Sequence, residues 1–395
     1  MERHHAITNE LIALLGADPS LKSLLEQAIA QASAINPDPD TNPAQTLEDY
    51  YAFVDRVVTA MPWEINPSGK FPSLYWRIDQ GMGCFYFIGD QPLEALKSRG
   101  YYHPSLMYHE PFRSWVNRFV ENCGQFLDTP ESWGEEYAKI AFDNPDFHLN
   151  DGTYEDPSNW HTFNMFFTRA LRAPEVRPIA EPEDDSVLIS PTDATPQGLW
   201  HIGEDSRVIL SEAEREGGRI PVKTTSLSSI QDLLLGSNYA DCFAGGTLTH
   251  TFLDINDYHR YHFPVSGTVL EVGLVPGADA PGGVIRWYPD EGYYHQSYCE
   301  LYGWQSVETR GYVIVDTGEY GLAAIVPVGM CQVSSVNFRN DVQPGTKVRR
   351  CDPLGCFKFG GSDIVMIFQK KAGFRLTAEP GKHLKMGEEY GRFAK

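Results

Sequence analysis

From residue 7 to 35 the apolar positions fall three and four apart: Ile7, Leu11, Leu14 and Leu15, then Leu21, Leu24, Leu25 and Ile29. That spacing predicts two amphipathic helices broken near Pro19, since proline cannot donate to a helical ladder. The proline-rich NPDPDTNPAQ that follows has no apolar run and predicts a linker or long turn. From Leu47 to about Phe147, segments such as TLEDYYAFVDRVV and EPFRSWVNRFVENCGQFL keep helical spacing and are rich in aromatics, whose ordinary role is core packing. After residue 160 the pattern changes to short β-branched runs (GTLTHTFLDI, GTVLEVGLV, GYVIVDT, GLAAIVPVG, DIVMIFQ) punctuated by Gly and Pro. The expected architecture is α+β: a helical N-terminal domain over 1–155 and a β-rich domain over 160–395, with RAPEVRPIAEPEDD as an extended connection. Residues 276–311, rich in Gly and Tyr, are expected to form a surface loop that shapes a site.

With 395 residues, 42% of them hydrophobic, the chain can bury two cores. A net charge of -21 excludes a nucleic-acid partner, because a phosphate backbone would be repelled, and disfavours an anionic membrane surface. The seven cysteines are scattered and form no CxxC pair, so neither a disulfide framework nor a zinc ribbon is expected. No window approaches the roughly 18 apolar residues of a membrane span. These features predict a soluble, cytoplasmic protein without a transmembrane segment, with homo-oligomer formation left open.

Three segments carry candidate chemistry: SPTDATP with Asp193, DYHRYHFPVSG with His259 and His262, and FGGSD with Ser362. Gly360 and Gly361 clear the space around one peptide carbonyl ahead of Ser362, although Gly-Gly-Ser is also an ordinary turn. Residues three apart on a strand face opposite ways, yet near a strand end both histidines can approach one pocket. Asp, His and Ser together are the parts of a nucleophile relay, but the GxSxG of the α/β-hydrolases is absent. A metal reading would use His250, His259 and His262; no carboxylate stands at the spacing of a familiar zinc motif, so no metal is assigned.

These segments resemble the phosphatidylserine decarboxylase family over about residues 160–375. FNMFFTRALRAPEVRPI resembles its opening segment, SPTDATP its Ser-Pro-Ala-Asp-Gly box, DYHRYHFPVSGTV its DYHRxHxPxxG box, and GCFKFGGSDIVMIF its Gly-Ser cleavage strand. The resemblance implies a pyruvoyl-decarboxylase domain in which Ser362 attacks the Gly361 carbonyl, the chain separates between 361 and 362, and Ser362 becomes a covalent pyruvoyl cofactor. Asp193 and His262 would activate Ser362, and His259 would reprotonate the product. A substrate amine would form a Schiff base with the pyruvoyl group and lose its carboxylate without pyridoxal phosphate.

Two segments depart from the family pattern. Thr192 and Ala194 flank Asp193, and Asp363 follows the nucleophile, where its charge either opposes ester formation or positions a water. The helical N-terminal region and FGGS core look most like the fungal tryptophan decarboxylase branch, which points to a free, tryptophan-like L-amino acid as substrate. Phosphatidylserine is the lipid alternative. Trp287, Tyr288, Tyr293, Tyr294, Tyr298, Tyr302 and Trp304 are candidates to stack on an aromatic substrate. In a competing class, PVSGTVLEV and VQPGTKVRRCDPLG resemble the half-repeats of a lipoyl-like carrier, which would make this an uncleaved interaction protein. The lysine at the hairpin tip that such a carrier needs is missing.

Overall fold

The computed structural model describes residues 4–62, 80–96, 104–209, 229–277, 285–296, 304–306, 308–330 and 335–394. The chain divides into two compact units, one of Met1–Ser132, Gly218–Lys223 and Ala278–Leu301, the other of Trp133–Gly217, Thr224–Gly277 and Tyr302–Lys395. The described helices are α1 (Ala6–Ala17), α2 (Pro19–Ile35), α3 (Leu47–Val57), α4 (Gln80–Gly89), α5 (Phe112–Phe126), α6 (Glu135–Asp143), α7 (Phe163–Phe167) and α8 (Ile230–Leu233). The strands begin with β1 (Val187–Ile189), β2 (Thr195–Ile202), β3 (Val208–Ile209), β4 (Thr247–Leu253), β5 (Arg260–His262), β6 (Gly267–Val275), β7 (Ile285–Tyr288) and β8 (Tyr293–Gln296). They continue with β9 (Thr309–Asp316), β10 (Leu322–Met330), β11 (Val336–Phe338), β12 (Lys347–Val348), β13 (Pro353–Phe357), β14 (Gly361–Phe368), β15 (Arg375–Leu376) and β16 (Glu389–Arg392). No helix among the described residues is long and apolar enough to cross a membrane.

In the first unit, Asp18 separates α1 from α2. Its carboxylate accepts from the N–H groups of Ser20 and Leu21 at 3.0 Å each, and Pro19 takes the first helical position, where no N–H is needed. Aromatic rings fill the helical core: Phe85 stacks on Phe119 at 4.5 Å, and Trp115 lies 5.6 Å from Phe119. The stretch after α2 is a packed polar turn. Asn36 and Asn42 are buried there, and Asn42 Nδ2 donates to the Asn36 carbonyl at 3.0 Å.

The expected 276–311 loop is in part a hairpin, β7 paired with β8, that belongs to this helical unit. Its anchor is Tyr294, 3% exposed. The backbone N–H and carbonyl of Tyr294 bond the Gln80 side chain at 2.7 and 2.9 Å, and its hydroxyl accepts from Asn36 Nδ2 at 2.8 Å. Trp287 packs on the Tyr294 ring at 4.8 Å. These contacts make Tyr294 a core residue and leave it no face for a substrate; Tyr298 and Tyr302 lie outside the described residues.

The second unit is built on an eight-stranded antiparallel sheet in the order β12-β6-β9-β10-β14-β4-β2-β3. β14 runs between β10 and β4, with Ser362 opposite Gly329 on one side and Leu253 on the other. Side chains alternate across a sheet. Ile364, Met366 and Phe368 therefore enter one core, with Leu253 and Ile325, while Val365 and Ile367 enter a second on the opposite face, with Leu248 and Val328. Two small sheets, β11-β13-β5 and β1-β16-β15, complete the unit.

Replacing Tyr294 by Phe strands the buried Asn36 amide, so the first unit should lose about 1–3 kcal/mol. A lower denaturation midpoint for that unit, at unchanged slope, is the expected reading.

Candidate active site

Ser362 stands at the head of β14. Gly360 before it has φ of 144°, a conformation that residues with side chains avoid. Ser362 is fully buried, and its Oγ lies 3.4 Å from the Gly360 carbonyl, a long bond that leaves the hydroxyl weakly held.

The approach to this serine is fixed by α7. Asn164 Oδ1 accepts from the Phe359 N–H at 3.1 Å, and the Phe359 ring meets Phe163 and Phe167 edge-on at 5.2 Å. Phe167 lies over His259 with centroids 3.9 Å apart, and the His259 carbonyl accepts from the Phe357 N–H at 2.9 Å. Strand β5, which carries His262, pairs with β13, the strand leading to the glycines. The Asp193 turn joins from its own side: the Pro191 carbonyl accepts from the His262 N–H at 2.8 Å, and the Thr192 hydroxyl donates to the Tyr258 carbonyl. All three motif segments therefore meet, and the hydroxyl of Thr192, one of the residues that depart from the pattern, helps to join them.

Both histidines are buried and have a defined proton. His259 Nδ1 lies 2.9 Å from the Asp257 carbonyl and so donates to it; Nε2 makes no bond among the described residues. Burial, helped by the Arg169 guanidinium, holds His259 well below the ordinary imidazole range. His262 donates from Nδ1 to the Cys351 carbonyl at 2.8 Å and accepts at Nε2 from the Tyr258 hydroxyl at 3.0 Å. Burial lowers His262 as well, opposed by the Cys351 bond and the Asp193 charge.

Asp193 makes no hydrogen bond to His262, which is what a direct relay would require. Arg177 clasps its carboxylate through Nε at 3.1 Å and Nη2 at 2.6 Å, and the Met386 N–H adds a third bond at 2.8 Å. Both side chains of the ion pair are nearly inaccessible. The carboxylate thus acts on His262 through its field, and it adds to the burial that raises Tyr258 and Tyr154.

Asp363 projects to the face of the sheet opposite Ser362. Its Oδ2 lies 2.8 Å from His250 Nδ1 and accepts from Gln305 Nε2 at 3.2 Å, with Trp200 stacked on His250 at 5.2 Å. The strand's alternation therefore sets this carboxylate and the serine hydroxyl on opposite faces of the sheet. The same placement takes His250 away from Ser362. Among the described residues no group of three or more His, Cys, Asp or Glu is arranged to hold a metal.

Several residues of the site escaped the motif reading. Arg177, Asn164 and Arg169 lie inside FNMFFTRALRAPEVRPI, but nothing local to that segment shows that they reach Asp193, Phe359 and the Asp257 carbonyl. Tyr258 sits within DYHRYH, where its hydroxyl turns out to hold His262.

Residues 163–392 match the family model described as phosphatidylserine decarboxylase. The chain is 31% identical over 247 residues to phosphatidylserine decarboxylase proenzyme 3 of Schizosaccharomyces pombe, covering 62% of this chain and 22% of that one. It is 28% identical over 320 residues to decarboxylase iboD of Amanita muscaria, covering 73% and 87%. It is 27% identical over 294 residues to L-tryptophan decarboxylase of Psilocybe cyanescens, covering 69% and 63%. The chain thus spans well under two thirds of the fission-yeast enzyme's length and most of the Amanita protein's.

Arg177→Met leaves a buried carboxylate without its cation and should cost about 3–5 kcal/mol in denaturant unfolding. The double variant with Asp193→Asn should lose less than the sum of the two single losses. Stability should also depend on pH. His259 and His262 are lowered in the folded chain, so the unfolded chain takes up protons first as pH falls below its ordinary value of about 6.5. Stability is therefore intact above that value and declines below it, by up to about 1.4 kcal/mol per pH unit for each proton. His259→Gln should make this acid slope shallower by about one proton in melting curves between pH 7 and 5.

Proposed function

The chain belongs to the phosphatidylserine decarboxylase family, and we propose that it is a pyruvoyl-dependent decarboxylase that cuts itself between Gly361 and Ser362 and acts on a free L-amino acid. The observation that carries this reading is the setting of Ser362: a buried, weakly held hydroxyl behind two glycines, after a strand whose Phe357 N–H bonds the carbonyl of a histidine kept neutral by burial. These residues fit the formation of a pyruvoyl group. Ser362 Oγ attacks the Gly361 carbonyl carbon, the peptide C–N bond breaks, and the linkage becomes an ester as the hydroxyl proton leaves. His262 accepts that proton at Nε2, the position now bonded by Tyr258, and passes it to the Ser362 nitrogen as the C–N bond breaks; the Asp193 charge favours its protonation. Loss of the Ser362 Cα proton expels Gly361 as a carboxylate, and water converts the remaining enamine to a ketone with release of ammonia.

The pyruvoyl group supplies an electron-withdrawing ketone for an amine substrate. His259 supplies the proton balance. Its Nε2 is unbonded among the described residues, so it can take a proton from the incoming ammonium and return it to the carbon that has lost carbon dioxide. Phe167 stacks on this histidine and Phe359 packs edge-on against Phe167, so the buried imidazole has little access to water.

A free amino acid is favoured by the likeness to the Amanita decarboxylase over 87% of its length and to the Psilocybe L-tryptophan decarboxylase. The net charge of -21 supports the same choice, because phosphatidylserine sits in an anionic leaflet. The fission-yeast relative keeps phosphatidylserine as the second reading.

Denaturing mass spectrometry of the purified protein should show residues 1–361 and a separate fragment 362–395 blocked by pyruvoyl. Ser362→Ala should remain one full-length species; a single species in protein that releases carbon dioxide would refute the mechanism. His262→Ala should slow cutting, while His259→Ala should cut and then lose at least about a hundredfold in turnover. Carbon dioxide release from L-tryptophan, measured beside phosphatidylserine vesicles, decides the substrate.

A further inference from the structure

The backbone of Asp257 and its carboxylate serve different partners. The carbonyl accepts from His259 Nδ1 and from Arg169 Nη2, each at 2.9 Å. Carboxylate Oδ2 accepts from the Asp254 N–H at 2.7 Å and closes the turn that follows β4; Oδ1 lies 2.8 Å from His383 Nε2. Asp257 is 6% exposed, whereas the His383 side chain is 45% exposed. One buried acid therefore holds the imidazole of His259 with its main chain and meets a solvent-facing histidine with its side chain.

We propose that His383 is a positioning residue for His259, acting through Asp257. The proposal rests on the decarboxylase reading above and adds to it a residue that none of the three motif segments contains. His383 is the one histidine after Ser362, so the fragment bearing the pyruvoyl group would also bear the residue that steadies the proton carrier. Its own segment is pinned to the Asp193 turn: the Gly381 N–H donates to the Pro196 carbonyl at 2.8 Å, Leu384 to the Ala194 carbonyl at 2.9 Å, and Met386 to Asp193 at 2.8 Å.

The electrostatics give the proposal a sign. His383 faces Asp257, Asp193 and Asp254, and the bond to Asp257 together with those charges raises it above its ordinary value. Asp257 is pushed up by burial and brought back down chiefly by His383. The charge facing His259 is Arg169. Below the raised value of His383, until Asp257 itself takes up a proton, the pair is intact. Above it, Asp257 is a buried carboxylate without a cation, and the turn that carries the His259 acceptor loosens.

The test is the pH dependence of carbon dioxide release by the mature enzyme. His383→Gln should lower kcat about tenfold near pH 6.5 with little change in KM, and should lack the alkaline decline of the unaltered enzyme. His383→Arg should restore most of kcat and carry the decline to higher pH, because its charge persists. In an Asp257→Asn background, His383→Gln should change nothing further. A second reading does not need activity: in the uncut Ser362→Ala chain, the NMR titration of His259 should move upward by about 0.5 unit or more when His383→Gln removes a cation and leaves Asp257 charged. Profiles and titrations that superimpose with and without His383→Gln overturn the proposal, as does an equal effect of His383→Gln with Asp257 absent. If the unaltered chain neither cuts itself nor releases carbon dioxide, the decarboxylase reading fails and the His259 titration alone decides the coupling.

Discussion

A β-strand shows each face only every second side chain, and β14 applies that constraint at the centre of an eight-stranded sheet. Ser362 falls on the face that the motif segments approach, and Asp363, its neighbour in the chain, is compelled to the other. A buried hydroxyl and a buried acid are thereby kept on opposite faces without any insulating layer. The cores on the two faces depend on the same alternation, since a slip of one residue in the pairing with β4 or β10 would exchange Ile364 and Met366 for Val365 and Ile367. The position of the serine is thus bound to the packing of the whole second unit.

The parts of the fold that could be read from the chain are those encoded locally. The break at Pro19 was legible because Asp18 caps α2 within three residues of sequence. The long antiparallel strands were legible because β-branched runs need only turns between them. The hairpin within 276–311 was not, because its stability comes from Gln80 and Asn36, more than two hundred positions away, and a Gly- and Tyr-rich segment carries no clear period of two. The same division runs through the site. Asp193, His259, His262 and Ser362 were found as members of short motifs, and the structure brings their three segments together. The clasp of Arg177 on Asp193 and the bond between His383 and Asp257 join different segments, so neither leaves a mark in residue spacing.

The site is also a study in keeping imidazoles neutral. Burial lowers both His259 and His262, a carbonyl assigns each its proton at Nδ1, and the second ring nitrogen is left as an acceptor, met by Tyr258 in His262 and unbonded among the described residues in His259. The charged groups close by are either paired, as Arg177 is with Asp193, or turned toward backbone carbonyls and aromatic rings, as Arg169 is. Such a site can move protons without holding a large net charge in a dry interior.

The central place of β14 bears on the order of events in the protein's life. Its ladders to β10 and β4 run along the strand, and β15, β16 and the 381–387 segment are stitched to the Asp193 turn and β1. A cut before Ser362 would leave every one of these bonds in place while removing the covalent link that let them form as a one-molecule event. Assembly of the cut pieces would then be a meeting of two molecules, dependent on concentration, with a short fragment that is largely core strand searching for a gap in an unfinished sheet. The uncut chain would therefore act as its own template. If the proposed cut occurs, folding would have to be complete before it, and a cut molecule that is once unfolded would have lost the tether that guided it home.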